Sequence, residues 1–484
     1  MTNDSPSPAR PGAEVLSLWR EVVGLLEGAS LPPGVQSALR IADTEVRTTS
    51  RVDLAVDRVV VAIDEAIHGV LDDVLHHPRF QILEAAWRGL ELAVEVASHH
   101  ENVKLAVWHW TKDEIARDLA ESSEVTKTRT FAEVYTAEYG VFGGEPYAAI
   151  LGAMEFGPDA ADVATLRGLA AIAAMAHAPF FAGASPGLLH LESWRDLPAV
   201  TEVRGVFDAP RFRAWNELRD NPDARYLGLL LPRYLAREPY TPSASGSPFG
   251  YTERVGSDAA GMLWGSPVFP LAARLTASFG RHGTLSALVG DDDDAPELPV
   301  RFALQPLGQR HVRPPLEAVV TDRLERLLRD VGFVTFVPRK GTTRVWLPSA
   351  NTLQTRRTYG GPAEGREATL NYLLGTQFPY LLLVCRIAHY LKVIERDLLG
   401  ASRTPLEITR ALEEWLGQLS NAMDAITAEE RARYPLRDAA VAVRSEEGDA
   451  GWLRADLQIR PQLRYLGSVF VLNLATRLEH RAPR

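Results

Sequence analysis

The residues best placed to do chemistry in this chain are Gly183-Ala184-Ser185-Pro186-Gly187. Their spacing is that of the G-x-S-x-G elbow, where a strand delivers a serine nucleophile to the start of a helix. One residue opposes that chemistry. The elbow's oxyanion site uses the backbone N–H of the residue after the serine, and here that residue is Pro186, which has none. Losing one such donor lowers a rate by about 10²–10³-fold. The segment therefore reads as a strand-to-helix turn with Pro186 at the first helical position, and a serine hydrolase using Ser185 is a minor alternative.

The remaining candidates are weaker. His76-His77 and His99-His100 are adjacent pairs, and neighbours on a helix cannot share a metal as i, i+4 residues can. Asp291–Asp294 lacks the alternating spacing and closing glutamate of a calcium loop. No G-x-x-x-x-G-K-[ST] phosphate loop occurs, and no G-x-G-x-x-G follows a strand. Arg386 and His389 lie in an otherwise apolar helix beside Cys385, which calls for a satisfied internal hydrogen bond or a subunit contact. No catalytic residue, cofactor or metal ligand is expected, and the surfaces are expected to carry the function.

The elements around these residues follow from periodicity. Residues 1–12 read as a disordered tail. Residues 13–27 form an amphipathic helix with the apolar set Val15, Leu16, Leu18, Trp19, Val22, Val23, Leu25 and Leu26, and Leu31-Pro32-Pro33-Gly34 ends it. Helices are predicted over 53–75 and from Pro78 to about Ser98. An α/β stretch follows, with strands at Val103–Trp110, Tyr147–Phe156, Pro179–Ala184 and Arg225–Leu231. Helices are predicted at Lys112–Ala120, Ala160–Met175 and about Arg211–Leu218. TPSASGSPFG, 241–250, reads as an exposed loop. Later helices are placed at Pro267–Phe279, ending at Gly280, at Asp322–Asp330, at 379–399 and at 405–423. Near the end, Leu453, Ala455, Leu457 and Ile459 alternate with Arg454, Asp456, Gln458 and Arg460, and Phe470, Leu472 and Leu474 repeat the pattern. Period-two alternation means half-buried strands, so the chain ends in two or three antiparallel strands with an edge to cover or use. The fold class is α/β with α+β character, a mixed sheet flanked by helices. Three regions are expected: 1–52, 53–375 and 376–484.

Composition bounds the partners. The formal net charge of −10 argues against a nucleic-acid or polybasic membrane surface. The single cysteine rules out an internal disulfide and fits a reducing compartment. No secretory signal and no transmembrane helix are visible, and the chain is expected in the bacterial cytoplasm. Of 52 basic residues only five are lysine, a bias of the kind high-GC bacterial coding produces.

Several segments together resemble the large sheath subunit of type VI secretion systems, the TssC or VipB family. LHHPRFQILEAAWRGL (75–90), EYGVFGGEPY (138–147), HAPFFAGASPG (177–187), RYLGLLLPRYLAREPY (225–240) and LWGSPVFPLAARLTASF (263–279) occur in the family's order. TDRLERLLRDVGF (321–333), RIAHYLKVIERD (386–397), YPLRDAAVAV (434–443) and RPQL (460–463) continue it. The match departs at Pro267 and Pro270, over 353–366, and in the first seventy residues. The resemblance implies a phage-tail-sheath-like fold and a structural, non-enzymatic role. It implies pairing with a small sheath subunit and six-fold helical polymerisation with copies of itself around an inner tube protein. Assembly starts on a baseplate, contraction propels the tube, and an AAA+ ATPase disassembles the spent sheath. It also implies strand exchange between subunits, assigned to Leu463, Tyr465, Val469, Phe470, Val471, Leu472 and Leu474. Val15, Leu16, Trp19, Val22, Val23 and Leu26 are assigned to the ATPase or the small subunit. A sheath-like scaffold of a related phage-tail-like injection system is the alternative.

Overall fold

The structure is a computed structural model. It describes residues 13–49, 52–139, 141, 143–242, 249–256, 261–290, 296–299, 301–304, 310–339, 342–360, 364–398, 405–423, 427–445, 452–462 and 472–479. The expected tail at 1–12, the tip of the 241–250 loop and Asp291–Asp294 lie outside these. Internal contacts divide the chain into two compact units, Met1–Glu84 with Glu238–Leu263, and Ala85–Arg237 with Trp264–Arg484.

The first unit is built on α1 (Ala13–Glu27), α2 (Pro33–Thr49) and α3 (Val52–Leu75). Trp19, Val23, Leu39, Ala42, Val46, Ala55 and Val59 form its core. Trp19 donates its indole N–H to Asp43 at 3.3 Å, so the ring's one polar atom is satisfied. A bidentate Arg58–Glu45 pair, with contacts of 2.7 and 3.2 Å, ties α3 to α2. Residues 249–256 lie along the C-terminal half of α3. There Tyr251 donates to Asp72 at 2.6 Å, and the buried Glu253 carboxylate meets His76 Nε2 at 3.2 Å.

α4 (Pro78–Ala97) starts in the first unit and ends in the second. The second unit continues with α5 (Lys112–Glu121), β1 (Ile150–Phe156), α6 (Ala160–Met175), β2 (Phe180–Ala184), α7 (Arg213–Asp220) and β3 (Leu227–Leu231). Then come α8 (Val268–His282), α9 (Asp322–Asp330) and β4 (Phe333–Thr335). The four strands form one parallel sheet in the order β1-β2-β3-β4. β2 and β3 are buried along their whole length, which is why they read as unbroken apolar runs. Their side chains divide by parity. Phe180, Ala182, Ala184, Leu227, Leu229 and Leu231 face one core with Leu166 and Leu169 of α6, Trp194, Phe212 and Trp215. Phe181 faces the other way and packs on Phe378 at a centroid distance of 4.5 Å.

The C-terminal part of this unit holds α10 (Phe378–Leu398), α11 (Pro405–Gln418), β5 (Leu436–Ser445), β6 (Trp452–Pro461) and β7 (Leu472–Glu479). The three strands form an antiparallel sheet in the order β5-β6-β7. Leu383, Ile387 and Leu391 of α10 and Leu412 and Leu416 of α11 cover it through Leu436, Val441, Leu457 and Ile459.

Two sequence expectations are corrected. Gly280 does not end its helix. α8 runs to His282 and ends at Gly283, whose φ of +72° is the left-handed cap conformation. Gly280 is small for another reason, since a Cβ there would lie 2.1 Å from the His100 ring. Residues Val103–Trp110 form no strand, because among the described residues their backbone pairs with no neighbour.

Position 228 tests the two-sided packing. A Cβ on Gly228 would stand 2.4 Å from Phe181 Cδ1 and 2.9 Å from Phe378 Cε2. Gly228→Ala is expected to cost about 1–3 kcal/mol through overpacking, read as a lower urea midpoint at unchanged slope. An unchanged midpoint would show that the two phenylalanines are not held together.

A second test concerns acid. His389 on α10 is buried, its Nε2 lies 3.0 Å from the Ala176 carbonyl, and its Nδ1 has no partner. Burial, opposed by the Ala176 bond and helped by Arg386, pulls its pKa down to about 3. Burial lowers His177 as well. Between the unfolded value near 6.5 and those lowered values, the unfolded chain binds protons that the folded one does not. Stability should therefore be full above about pH 6.5 and fall on acidification, by roughly 1.4 kcal/mol per pH unit for His389, with His177 acting in the same direction. Urea unfolding at pH 7.5 and 5.5 reads this, and His389→Gln should flatten the slope.

Candidate assembly surfaces

Two surfaces were singled out from sequence, α1 and the chain's end. On α1 the apolar residues cover too wide an arc for one contact, and the structure divides them. Trp19 and Val23 are buried in the first unit's core, with Leu16 and Leu26 partly buried against it. Val15 and Val22 are exposed, and so are Leu18 at 62% and Leu25 at 72%, neither of which the sequence reading had placed on the partner-binding face. These four recur at three- and four-residue steps, so they share one stripe of the helix. The signal was present in the sequence: eight apolar residues in a fifteen-residue helix exceed what one seam buries.

At the chain's end, the register sets Leu472 opposite Ile459 and Leu474 opposite Leu457. β7 pairs with β6 on one side only, and among the described residues no strand lies on its other side. β5 is the opposite edge. Leu463, Tyr465, Val469, Phe470 and Val471 fall outside the described residues.

The serine turn has the geometry of its composition. Ser185 has φ −83° and ψ 142°, an unstrained extended conformation, and Pro186 opens a short 3₁₀ turn. The hydroxyl makes no hydrogen bond to a histidine among the described residues, and nearby His190 is taken up by Arg211. Arg386 stacks between Phe279 and Tyr390, 5.3 and 4.6 Å from the two ring centroids. Cys385 is buried, and burial pushes its thiol pKa up. Among the described residues no three His, Cys, Asp or Glu side chains converge as a metal ion would require, and no helix is long and apolar enough to cross a membrane.

The parallel sheet is covered on both faces, and β7 of the antiparallel sheet has an open outer edge among the described residues. Two family models match the chain: VipB, the tail sheath N-terminal domain, over residues 57–354, and VipB_2, the tail sheath gpW/gp25-like domain, over residues 367–478. The first alone spans more than half of the sequence, and the chain belongs to the VipB tail sheath family. It is similar to the type VI secretion system sheath protein TssC1 of Pseudomonas aeruginosa, with 31% identity over 467 residues, covering 92% of this chain and 93% of that one.

The division of α1 has a direct test. Trp19→Ala should destabilise the N-terminal unit by about 3 kcal/mol, as deletion of a buried aromatic does. Leu25→Ala should change it by less than about 0.5 kcal/mol. Thermal melts followed by circular dichroism and Trp fluorescence compare them. Equal effects would mean that α1 does not seat on the Trp19 side.

Proposed function

We propose that this chain is the large structural subunit of a type VI secretion contractile sheath, acting without bond chemistry. It pairs with a small sheath subunit, and the pairs polymerise with copies of themselves into a six-fold helical tube. That tube surrounds an inner tube protein, grows from a baseplate in the bacterial cytoplasm, and contracts to propel its contents outward. The observation that carries this reading is the collinear sheath-family match over both of its domains. The edge-open C-terminal sheet supports it, because added strands gain main-chain hydrogen bonds while alternate side chains set specificity. The stripe of Val15, Leu18, Val22 and Leu25 suits a helical contact, with an AAA+ disassembly ATPase or the small subunit as its partner. The energy of contraction lies in interfaces strained in the extended lattice, since a conformational change is driven only by differential interactions of its two states.

Co-expression with the companion small-subunit gene, followed by negative-stain imaging, is expected to yield tubules. Deleting residues 463–484 should abolish them while leaving the circular-dichroism melt of the body in place. Intact tubules from that truncation would remove the strand-exchange assignment. A monomer that never binds the small subunit, or that turns over an ester in a Ser185-dependent manner, would remove the reading itself.

A further inference from the structure

Arg225 is a cation without a counter-ion. It sits in the short turn Pro222–Tyr226 that leads into β3, half-buried, and its Nε is shielded from water with no hydrogen-bond partner. Among the described residues its guanidinium enters no ion pair and no hydrogen bond. Other sheltered arginines of the same unit are met. Arg233 forks onto Glu317 at 2.7 and 2.9 Å, and Arg356 reaches Asp330 at 2.6 Å. Arg219 and Arg274 donate to the Leu353 and Leu288 carbonyls. Arg386, whose Nε is also unbonded, lies between two rings and donates to Tyr390. A sheltered charged donor with nothing to bond is costly, and in a folded protein it calls for a missing partner.

The surroundings of Arg225 are donors. Its charge acts on the phenols of Tyr372, in the helix Glu364–Gly375, and of Tyr380, in the first turn of α10. Arg357 acts on Tyr372 as well. Burial raises both phenol pKa values against these cations, so both hydroxyls keep their protons at neutral pH. Tyr372 gives its proton to the Thr355 carbonyl at 2.8 Å. The Tyr380 hydroxyl has no partner among the described residues, although the residue is buried. Arg357 is exposed and donates one N–H to the Asp220 carbonyl at 3.1 Å. Asp220 and Asp223, the acids nearest in sequence, form no ion pair with Arg225. A guanidinium with an open fork, a second cation and an unused phenol O–H make a donor set that fits an oxyanion.

We propose that Arg225, with Tyr380 and Arg357, binds one oxyanion, a carboxylate or phosphate group. It comes either as a free ion or as an acidic side chain of a second copy, each of which carries 62 Asp and Glu residues. The inference stands apart from the sheath reading.

Titration calorimetry of the full chain with inorganic phosphate, at constant ionic strength set by chloride, tests it. Arg225→Gln should weaken phosphate binding by roughly tenfold or more, and Tyr380→Phe, which removes one hydroxyl, by about threefold. In chloride alone Arg225→Gln should melt no lower than the wild type, because the replaced charge has no partner within the chain. Sedimentation velocity on the same proteins separates the two sources. Phosphate binding lost in Arg225→Gln with self-association unchanged makes the ligand a free anion. Self-association lost in that variant, and competed away from the wild type by phosphate, makes it a carboxylate of a second copy. Equal phosphate binding by wild type and Arg225→Gln, with equal self-association, would overturn the site. If Arg225→Gln fails to fold, Tyr380→Phe decides, and wild-type phosphate affinity and self-association in it would overturn the site too.

Discussion

A strand in the middle of a sheet has two faces and two edges, and all four must be covered before its backbone leaves water. β2 meets this condition within the chain, between β1 and β3, with Phe180 and Phe181 taking opposite sides. Everything else is arranged around that requirement. α6 supplies an apolar, Ala-rich surface against one face, and Phe378 at the head of α10 reaches the other. The residue that permits this close approach is Gly228, whose missing side chain leaves room for two phenylalanine rings.

The periphery follows the opposite rule. β7 has no strand on its outer side among the described residues, 103–110 enters no backbone hydrogen bond among them, and α1 keeps one apolar stripe inward and one outward. Proteins ordinarily blunt open strand edges with charge, proline or bulges. A covered centre with open margins suits the proposed polymer.

Most of this was legible from residue order, for reasons that can be named. β2 and β3 were readable because strands buried on both faces have no polar members to blur them, and α6 because an alanine-rich run follows Asp159 at its N-cap. Gly280 misled because glycine has two uses. It can release the backbone at a helix end, or it can make room for a neighbour, and only the His100 ring across the gap shows which applies. Val103–Trp110 misled in another way, since alternation specifies a willingness to pair but not the presence of a partner. Leu18 and Leu25 were in the correct helix but unassigned, because periodicity shows that an arc is apolar without showing how much of it the rest of the fold will cover. At Ser185 the residue order alone shows that the next position, an imino acid, offers no backbone donor.

Cys385 has a practical consequence of its own. It is the chain's one sulfhydryl, and it sits in the interior of α10, where burial holds it in the protonated form. Thiolate is the reactive species toward maleimides and disulfides, so the native protein is close to a blank for sulfur-directed labels. A single cysteine placed at an exposed position would then carry a fluorophore or spin probe without background.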